Sequence, residues 1–173
     1  MAVDAFLSLV HKGTPVLGET QDAHFGKGGP SAAFEIKDFS FGVENKTTIG
    51  SATGGAGAGK AKLNEFSITK RTDKASPILF QNCCAGIHYD IGVLSVRKAG
   101  GAKGGEKPYL TYEFATVFTT KVDWSGPGDE GPEERISFVY GQLKISYQVQ
   151  QANGTLGPPT LGSWDQIKNT HGG

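Results

Sequence analysis

G-G-A-G-A-G-K-A-K-L-N-E-F-S-I-T-K, residues 54 to 70, decides what kind of chain this is. Gly54, Gly59 and Lys60 stand at the spacing of a phosphate-cradling loop, G-x-x-x-x-G-K-[ST], in which backbone N–H groups and a lysine hold the phosphates of a nucleotide. That loop leaves a strand and opens a helix, whose N-terminus faces the anion. It also needs a hydroxyl beside the lysine to hold magnesium, and Ala61 occupies that place. Beyond it, Ala61 and Leu63 follow one alternation and Phe66 and Ile68 the next, offset at Asn64–Glu65, while Arg71, Thr72 and Asp73 break any helical spacing. This pattern predicts a strand with a bulge. The motif fails in residue and in context, and its glycines read as a connection between two strands.

The rest of the composition agrees with strands. Among 173 residues there are 26 glycines and eight prolines, which predict many turns, with Thr, Val, Ile, Phe and Tyr between them. The length suits one domain with a substantial core, here taken as residues 1–173 with an extended Gly-rich loop at about 44–60. Lysine plus arginine equals aspartate plus glutamate at 17 each, so no global field recruits nucleic acid or an anionic membrane. The beginning, M-A-V-D-A-F-L-S-L-V-H-K, has no basic leader and only a short apolar run, unlike a Sec signal peptide, and no stretch reaches the roughly eighteen apolar residues of a membrane span.

Strands are predicted at Phe6 to Val10, over Phe34 to Val43 as a pair, and at Ile91 to Arg97, Tyr109 to Val122 and Arg135 to Val149. In the last, Ile136, Phe138 and Tyr140 share one face, then Leu143, Ile145, Tyr147 and Val149 share the other, so a bulge is expected at Gly141–Gln142. One short helix, about residues 77–84, interrupts them. Ser76 is its expected N-cap, Pro77 its first position, Gly86 its left-handed stop, and Ile78, Leu79, Phe80 and Cys83 its apolar side. Long bent strands with one helix describe a sandwich or barrel. Two loops carry opposite charge, Arg97, Lys98, Lys103 and Lys107 against Asp123, Asp129, Glu130, Glu133 and Glu134. They read either as ordinary solvated loops or as patches that meet across copies of the chain.

Catalytic and metal-binding patterns are not found. His11, His24, His88 and His171 lie outside ligand spacing of one another and of the cysteines. Cys83 and Cys84 are adjacent, which excludes C-x-x-C chemistry and would strain a bridge, so both are expected as reduced, structural thiols. No G-x-S-x-G elbow occurs, and a Cys84–His88 pair has no orienting third group. No catalytic, cofactor or metal residue is assigned.

Several blocks together carry a resemblance. M-A-V-D-A-F-L at the start, K-A-K-L-N-E-F-S-I-T-K with D-K-A-S-P-I-L, then C-C-A-G-I-H-Y, L-S-V-R-K-A-G-G and I-S-Y-Q-V-Q-Q-A-N-G-T closely resemble the haemolysin-coregulated protein (Hcp) family of the bacterial type VI secretion system. The likeness departs at residues 25 to 32 and 123 to 134. It implies a mainly β fold, an antiparallel β-barrel of two sheets with one short helix, and a structural, non-enzymatic role without a cofactor. The implied assembly is a homohexameric ring, stacked into a tube that meets sheath, baseplate or spike proteins and holds effector proteins in its lumen. It implies synthesis in the bacterial cytoplasm, a Sec-independent exit, and neither nucleic-acid binding nor membrane insertion. The segment Glu44 to Lys60 matches the family's extended loop that reaches the neighbouring ring, so Thr53, Gly54, Gly55, Gly57, Gly59 and Lys60 are the candidate stacking residues; glycine allows the backbone several conformations and a close approach. Two other functions stay open on the residues alone, a monomeric or dimeric β-barrel that binds a sugar or peptide through clustered aromatics, and a nucleotide binder using Lys60.

Overall fold

The computed structural model describes residues 2–26, 32–47, 59–99 and 107–172. In chain order its elements are β1 (Val3–His11), β2 (Thr14–Pro15), β3 (Phe34–Ile36), β4 (Asp38–Ser40), β5 (Val43–Asn45), β6 (Ala61–Leu63), β7 (Phe66–Arg71), α1 (Ser76–Ala85), β8 (His88–Lys98), β9 (Leu110–Gly128), β10 (Gly131–Gln150) and β11 (Leu156–Asp165). The fold is mainly β with one short helix, as the sequence predicts. The principal sheet runs β2-β1-β8-β9-β10-β7-β4, with β3 added to β1 and β11 added to β10, and β5 and β6 form a second, two-stranded sheet. Every pairing is antiparallel.

The two ends of the principal sheet are bridged by one segment that changes partner. Phe34–Ile36 pairs with β1, Asp38–Ser40 pairs with β7, and between them the Lys37 N–H donates to the Thr69 carbonyl at 2.8 Å. Curling the sheet this way gives it one enclosed face, filled by Leu7, Leu9, Phe34, Phe66, Ile68, Leu94, Phe114, Val117, Ile136 and Phe138. Stacked and edge-on aromatic rings organise this core, with Phe66 and Phe114 stacked at 4.5 Å and Phe41 edge-on to both at 5.6 Å.

Residues 61–71 form two strands broken at Asn64–Glu65, where the alternation shifts. In β10 burial passes from Ile136, Phe138 and Tyr140 to Leu143, but the rest of the expected second face, Ile145, Tyr147 and Val149, is exposed. The bulge expected at Gly141–Gln142 is not there. Tyr140–Val117 and Gln142–Ala115 stay in register, and it is Thr116 of β9, opposite Gly141, that takes a left-handed conformation with φ 55°. The ladder's register shifts lie at Gly131/Glu133 and Ser137/Phe138 instead. A Cβ at Gly141 would come within 2.8 Å of Ile167 Cδ1, the tip of an exposed side chain that can move aside.

The helix stands where predicted and ends on Gly86, at φ 65°. Its start is corrected. Ala75 is the N-cap, with helical dihedrals and no side-chain capping bond, and Ser76 lies inside the helix. Asp73 organises the turn before it: its Oδ1 accepts the Ala75 N–H at 2.9 Å, and the Ser76 hydroxyl accepts the Asp73 N–H at 2.9 Å. The expected apolar side is corrected too. Successive helical residues diverge by about 100°, so when Leu79 points into the core, Ile78 and Phe80 are left outside on either flank. β11 has no counterpart in the sequence reading. Pro158 and Pro159 argue against a strand, and they are accommodated because β11 pairs on one side only, with β10.

Candidate assembly surfaces

Of the candidate stacking residues, Thr53, Gly54, Gly55 and Gly57 lie outside the described residues. Gly59 and Lys60 lie at the mouth of the β5–β6 ribbon, whose register is Val43–Leu63, Glu44–Lys62 and Asn45–Ala61. Lys60 leads into a strand and not a helix, which removes the nucleotide-loop geometry. Gly59 is required by contact, since a Cβ there would fall 2.0 Å from the Lys46 carbonyl oxygen. The ribbon is anchored at its base to the rest of the fold, whose principal sheet does not close into the expected barrel. Leu63 N–H donates to Gln166 Oε1 at 2.7 Å, Asn64 N–H to the Gly42 carbonyl at 2.8 Å, and the Tyr140 hydroxyl to the Asn64 carbonyl at 2.8 Å.

Of the oppositely charged loops, Arg97, Asp123, Glu130, Glu133 and Glu134 are paired within the chain, whereas Lys98, Lys107 and Asp129 make no ion pair among the described residues. Arg97 pairs with Asp22 and, at 3.5 Å, with Asp4, and its guanidinium lies over Phe6 at 5.0 Å and Phe25 at 5.6 Å. Burial would raise the Asp22 carboxyl, but the bond from Arg97 and the N–H groups of His24 and Phe25 outweigh it and hold the acid below its ordinary 3.8. Glu130 and Glu133 both take the Lys37 ammonium, and Arg71 reaches Glu130 at 2.5 Å. Hydrogen bonds from Lys37 and Arg71 lower the Glu130 carboxyl, and those from Lys37 to Glu133 and Glu130 raise the ammonium. Glu134 is fully buried opposite Lys70, at 3.0 Å. Lys103 lies outside the described residues.

Two uncharged apolar surfaces remain open. The first is α1, S-P-I-L-F-Q-N-C-C-A, which has no charged residue and buries only Ser76 and Leu79. Phe80 and Trp124 of β9 meet there at 5.8 Å, Phe80 48% and Trp124 52% exposed. The Trp124 indole N–H donates to Glu134 Oε1 at 2.9 Å, which fixes the ring in its exposed position. The second is the outer part of the β9–β10–β11 sheet. Ile145, Tyr147 and Val149 project at alternate positions of β10, Val149 60% exposed. Their cross-strand neighbours on the same face are Tyr112 and Leu110 of β9 and Gly162 and Thr160 of β11.

The Hcp family of type VI secretion system effectors matches residues 6–147. The chain belongs to the Hcp family. Hcp1 of Pseudomonas aeruginosa is 33% identical over 112 residues, 64% of this chain and 68% of that protein. A solved type six secretion system protein superposes with a TM-score of 0.86 at 28% identity, covering 99% of this chain and all of the other. Hcp1 of Salmonella typhimurium, at 24% identity and a TM-score of 0.75 over 99% of both chains, shows the same fold.

Within this Hcp chain the sequence missed the Lys70–Glu134 pair. Lys70 Nζ donates toward Glu134 Oε2 at 3.0 Å, Asp73 Oδ1 at 2.8 Å, Ser76 Oγ at 3.1 Å and the Arg71 carbonyl at 2.8 Å. A signal was present, because the alternation Phe66, Ile68, Lys70 puts the lysine on the core face. Also missed was the approach of His11 to His88, 77 residues apart, where His11 Nδ1 lies 2.7 Å from the His88 carbonyl oxygen. The His88 ring packs on Phe118 at 5.4 Å and its Nε2 lies 3.5 Å from Asp90 Oδ1. Both cysteines are free, and burial raises the Cys83 thiol. Among the described residues no three His, Cys, Asp or Glu side chains converge on a metal position, and no helix is long and apolar enough to cross a membrane.

Proposed function

We propose that this Hcp chain is the structural subunit of a type VI secretion inner tube. It acts as one barrel domain, without catalysis or cofactor, in homohexameric rings that stack. The family match supports the secretion role. The observation that favours an assembling subunit is the apolar area on rigid elements, the uncharged α1 face with Phe80 and Trp124 and the Ile145–Tyr147–Val149 stripe. Exposed apolar patches of this kind on ordered elements mark interaction surfaces. Head-to-tail contacts generate rings when the rotation closes, and stacking, which has no such closure, continues as a tube.

In this reading the β5–β6 ribbon presents Thr53, Gly54, Gly55, Gly57, Gly59 and Lys60 to the adjacent ring. Sheath, baseplate or spike proteins contact the tube from outside, effectors travel in its lumen, and the assembly made in the cytoplasm leaves by a Sec-independent route. The Phe80–Trp124 pair is the one observation that favours the other function, a sugar- or peptide-binding barrel of low oligomeric state. Light scattering and electron microscopy of the purified protein separate the two. The expected result is a mass near six subunits with annular particles; a monomer or dimer at all concentrations favours the binding module. Deleting Ser51 to Ala58 while keeping Gly59 is expected to leave ring mass unchanged and to shorten or abolish stacks. Loss of the ring in that variant counts against the ribbon as a stacking element.

A further inference from the structure

We infer that His11 and His88 together bind one divalent transition-metal ion of the zinc type, which pins the β1–β2 turn to the start of β8. The inference does not depend on the proposed ring. The two histidines are 77 residues apart, outside any ligand spacing, and it is the β1–β8 ladder, whose last pair is Val10–Ile91, that brings them together. Their ring centroids stand 6.1 Å apart. Zinc lies about 2.0–2.1 Å from an imidazole nitrogen, hence about 3.2 Å from the ring centre, so two rings on one ion have centroids from about 5 Å to about 6.4 Å apart. The observed separation lies inside that span.

The hydrogen bonds prepare each ring to coordinate. A carbonyl oxygen only accepts, so the 2.7 Å contact between His11 Nδ1 and the His88 carbonyl places a proton on Nδ1. In the neutral ring Nε2 then carries the lone pair, the tautomer of a metal-bound histidine whose other nitrogen donates to the backbone. On His88, Nε2 faces Asp90 Oδ1 at 3.5 Å, so Nδ1 is the nitrogen left for the ion. Asp90 is itself fixed, because its Oδ2 accepts the Lys12 N–H at 2.7 Å. A carboxylate behind a ligating histidine orients the ring and raises its basicity.

Both ligands stand on ordered backbone. His11 pairs with Thr14 across the two-residue turn Lys12–Gly13, whose φ of 47° and 77° are both positive, as a tight hairpin turn requires. The His88 ring packs on Phe118 at 5.4 Å. Since His11 is bonded to the backbone of His88 itself, the ion has little left to order. Among the described residues no third His, Cys, Asp or Glu converges on the same point, so water completes the coordination. Solvent reaches the site, with the His88 side chain 47% and the Asp90 side chain 51% exposed. Imidazole donors select zinc, copper or nickel over magnesium and calcium, which take oxygen ligands.

The test is a calorimetric titration of zinc chloride into the full chain, with magnesium chloride as the control. One zinc per chain is expected, with a rise in melting temperature that magnesium does not give, because only the folded chain brings the two histidines together. His11→Gln and His88→Gln should each abolish both effects, Asp90→Asn should weaken binding about 10–100-fold, and His24→Gln should change neither. His88→Gln keeps the backbone carbonyl that His11 uses, and its cooperative melt without zinc separates lost binding from lost folding. Should it not fold, zinc-induced shifts of the His11 and His88 imidazole NMR signals decide on the unaltered chain, and shifts confined to other residues overturn the inference. Zinc binding that survives either histidine variant overturns it too, as does binding that disappears in Cys83→Ser/Cys84→Ser, which would assign the ion to the thiols. So does wild-type affinity weaker than about 1 mM, the mark of an adventitious ion only.

Discussion

Lys70 is a charged group at a position the strand alternation reserves for the core, and its burial is matched by acceptors. Its three N–H donors face four acceptor oxygens, two of them carboxylate oxygens, with the Phe34 ring 5.6 Å away. Lys70→Met would strand Glu134 as a buried anion, and breaking one side of such a pair costs about 3–5 kcal/mol. We expect that loss in urea unfolding, with much of it recovered in Lys70→Met/Glu134→Leu; equal losses in single and double variants would mean that the pair is not the coupled unit described. Tyr140 has a different dependence. Burial pushes its phenol up to about 12, and its hydroxyl donates to the Asn64 carbonyl. Because the folded value lies above the ordinary 10.0, its contribution is complete below pH 10.0 and is lost as pH rises toward about 12. Tyr140→Phe should cost about 0.5–1.5 kcal/mol at neutral pH, and ultraviolet titration should show several late tyrosines, because burial also raises Tyr89 and Tyr112, with one fewer in the variant.

Short elements here depend on partners distant in sequence. The Asp22 turn is held by Arg97, which also covers the stacked rings of Phe6 and Phe25, 4.3 Å apart. The depressed carboxyl contributes stability above its ordinary 3.8 that is lost as pH falls through its lower folded value. Aromatic NMR signals of Phe25 should therefore lose their stacking shift only below pH 3.8, and Asp22→Asn should show the loosened signals at every pH. The β5–β6 ribbon has three paired positions on each strand, and beyond its outer pair, Asn45–Ala61, it admits no side chain at residue 59. Gly59→Ala must displace the Lys46 carbonyl, so amide exchange at Val43, Glu44 and Lys62 is expected to rise severalfold while β9 and β10 stay protected. Unchanged exchange in the ribbon would show that the close approach is easily relieved.

At the scale of the molecule, one curled sheet buries its inner face and leaves apolar surface where β9, β10 and β11 run past it. Exposing that surface on an isolated chain is unfavourable, at roughly 25 cal/mol for each Å² of apolar area. In the proposed assembly, covering it in a ring recovers this term, while the candidate residues Thr53 to Lys60 act in stacking alone. Ring formation should therefore be less sensitive to the ribbon than stacking is. Sedimentation of the Ser51–Ala58 deletion measures both, and equal loss of rings and stacks would remove the distinction.

Strand alternation, the Pro77 start, the Gly86 stop and the break at Asn64–Glu65 were legible because each is set by neighbours within a few residues. Periodicity reports a local choice between two faces, and it expected a bulge at Gly141–Gln142, where the β9–β10 register is continuous; the left-handed residue there is Thr116, on the other strand. Pro158 and Pro159 hid β11 because a strand bonded on one side tolerates proline, and which strand is an edge is a property of the sheet. Arg97, Glu130, Glu133 and Glu134 looked available for other copies because their partners, Asp4, Asp22, Lys37, Lys70 and Arg71, come from remote segments. By itself, then, the sequence determined the β class, the helix, and through its blocks of residues the Hcp family. Tertiary structure alone decided which charges are spent inside the chain and which apolar faces stay open, because burial and pairing depend on distances across the fold that no local pattern encodes.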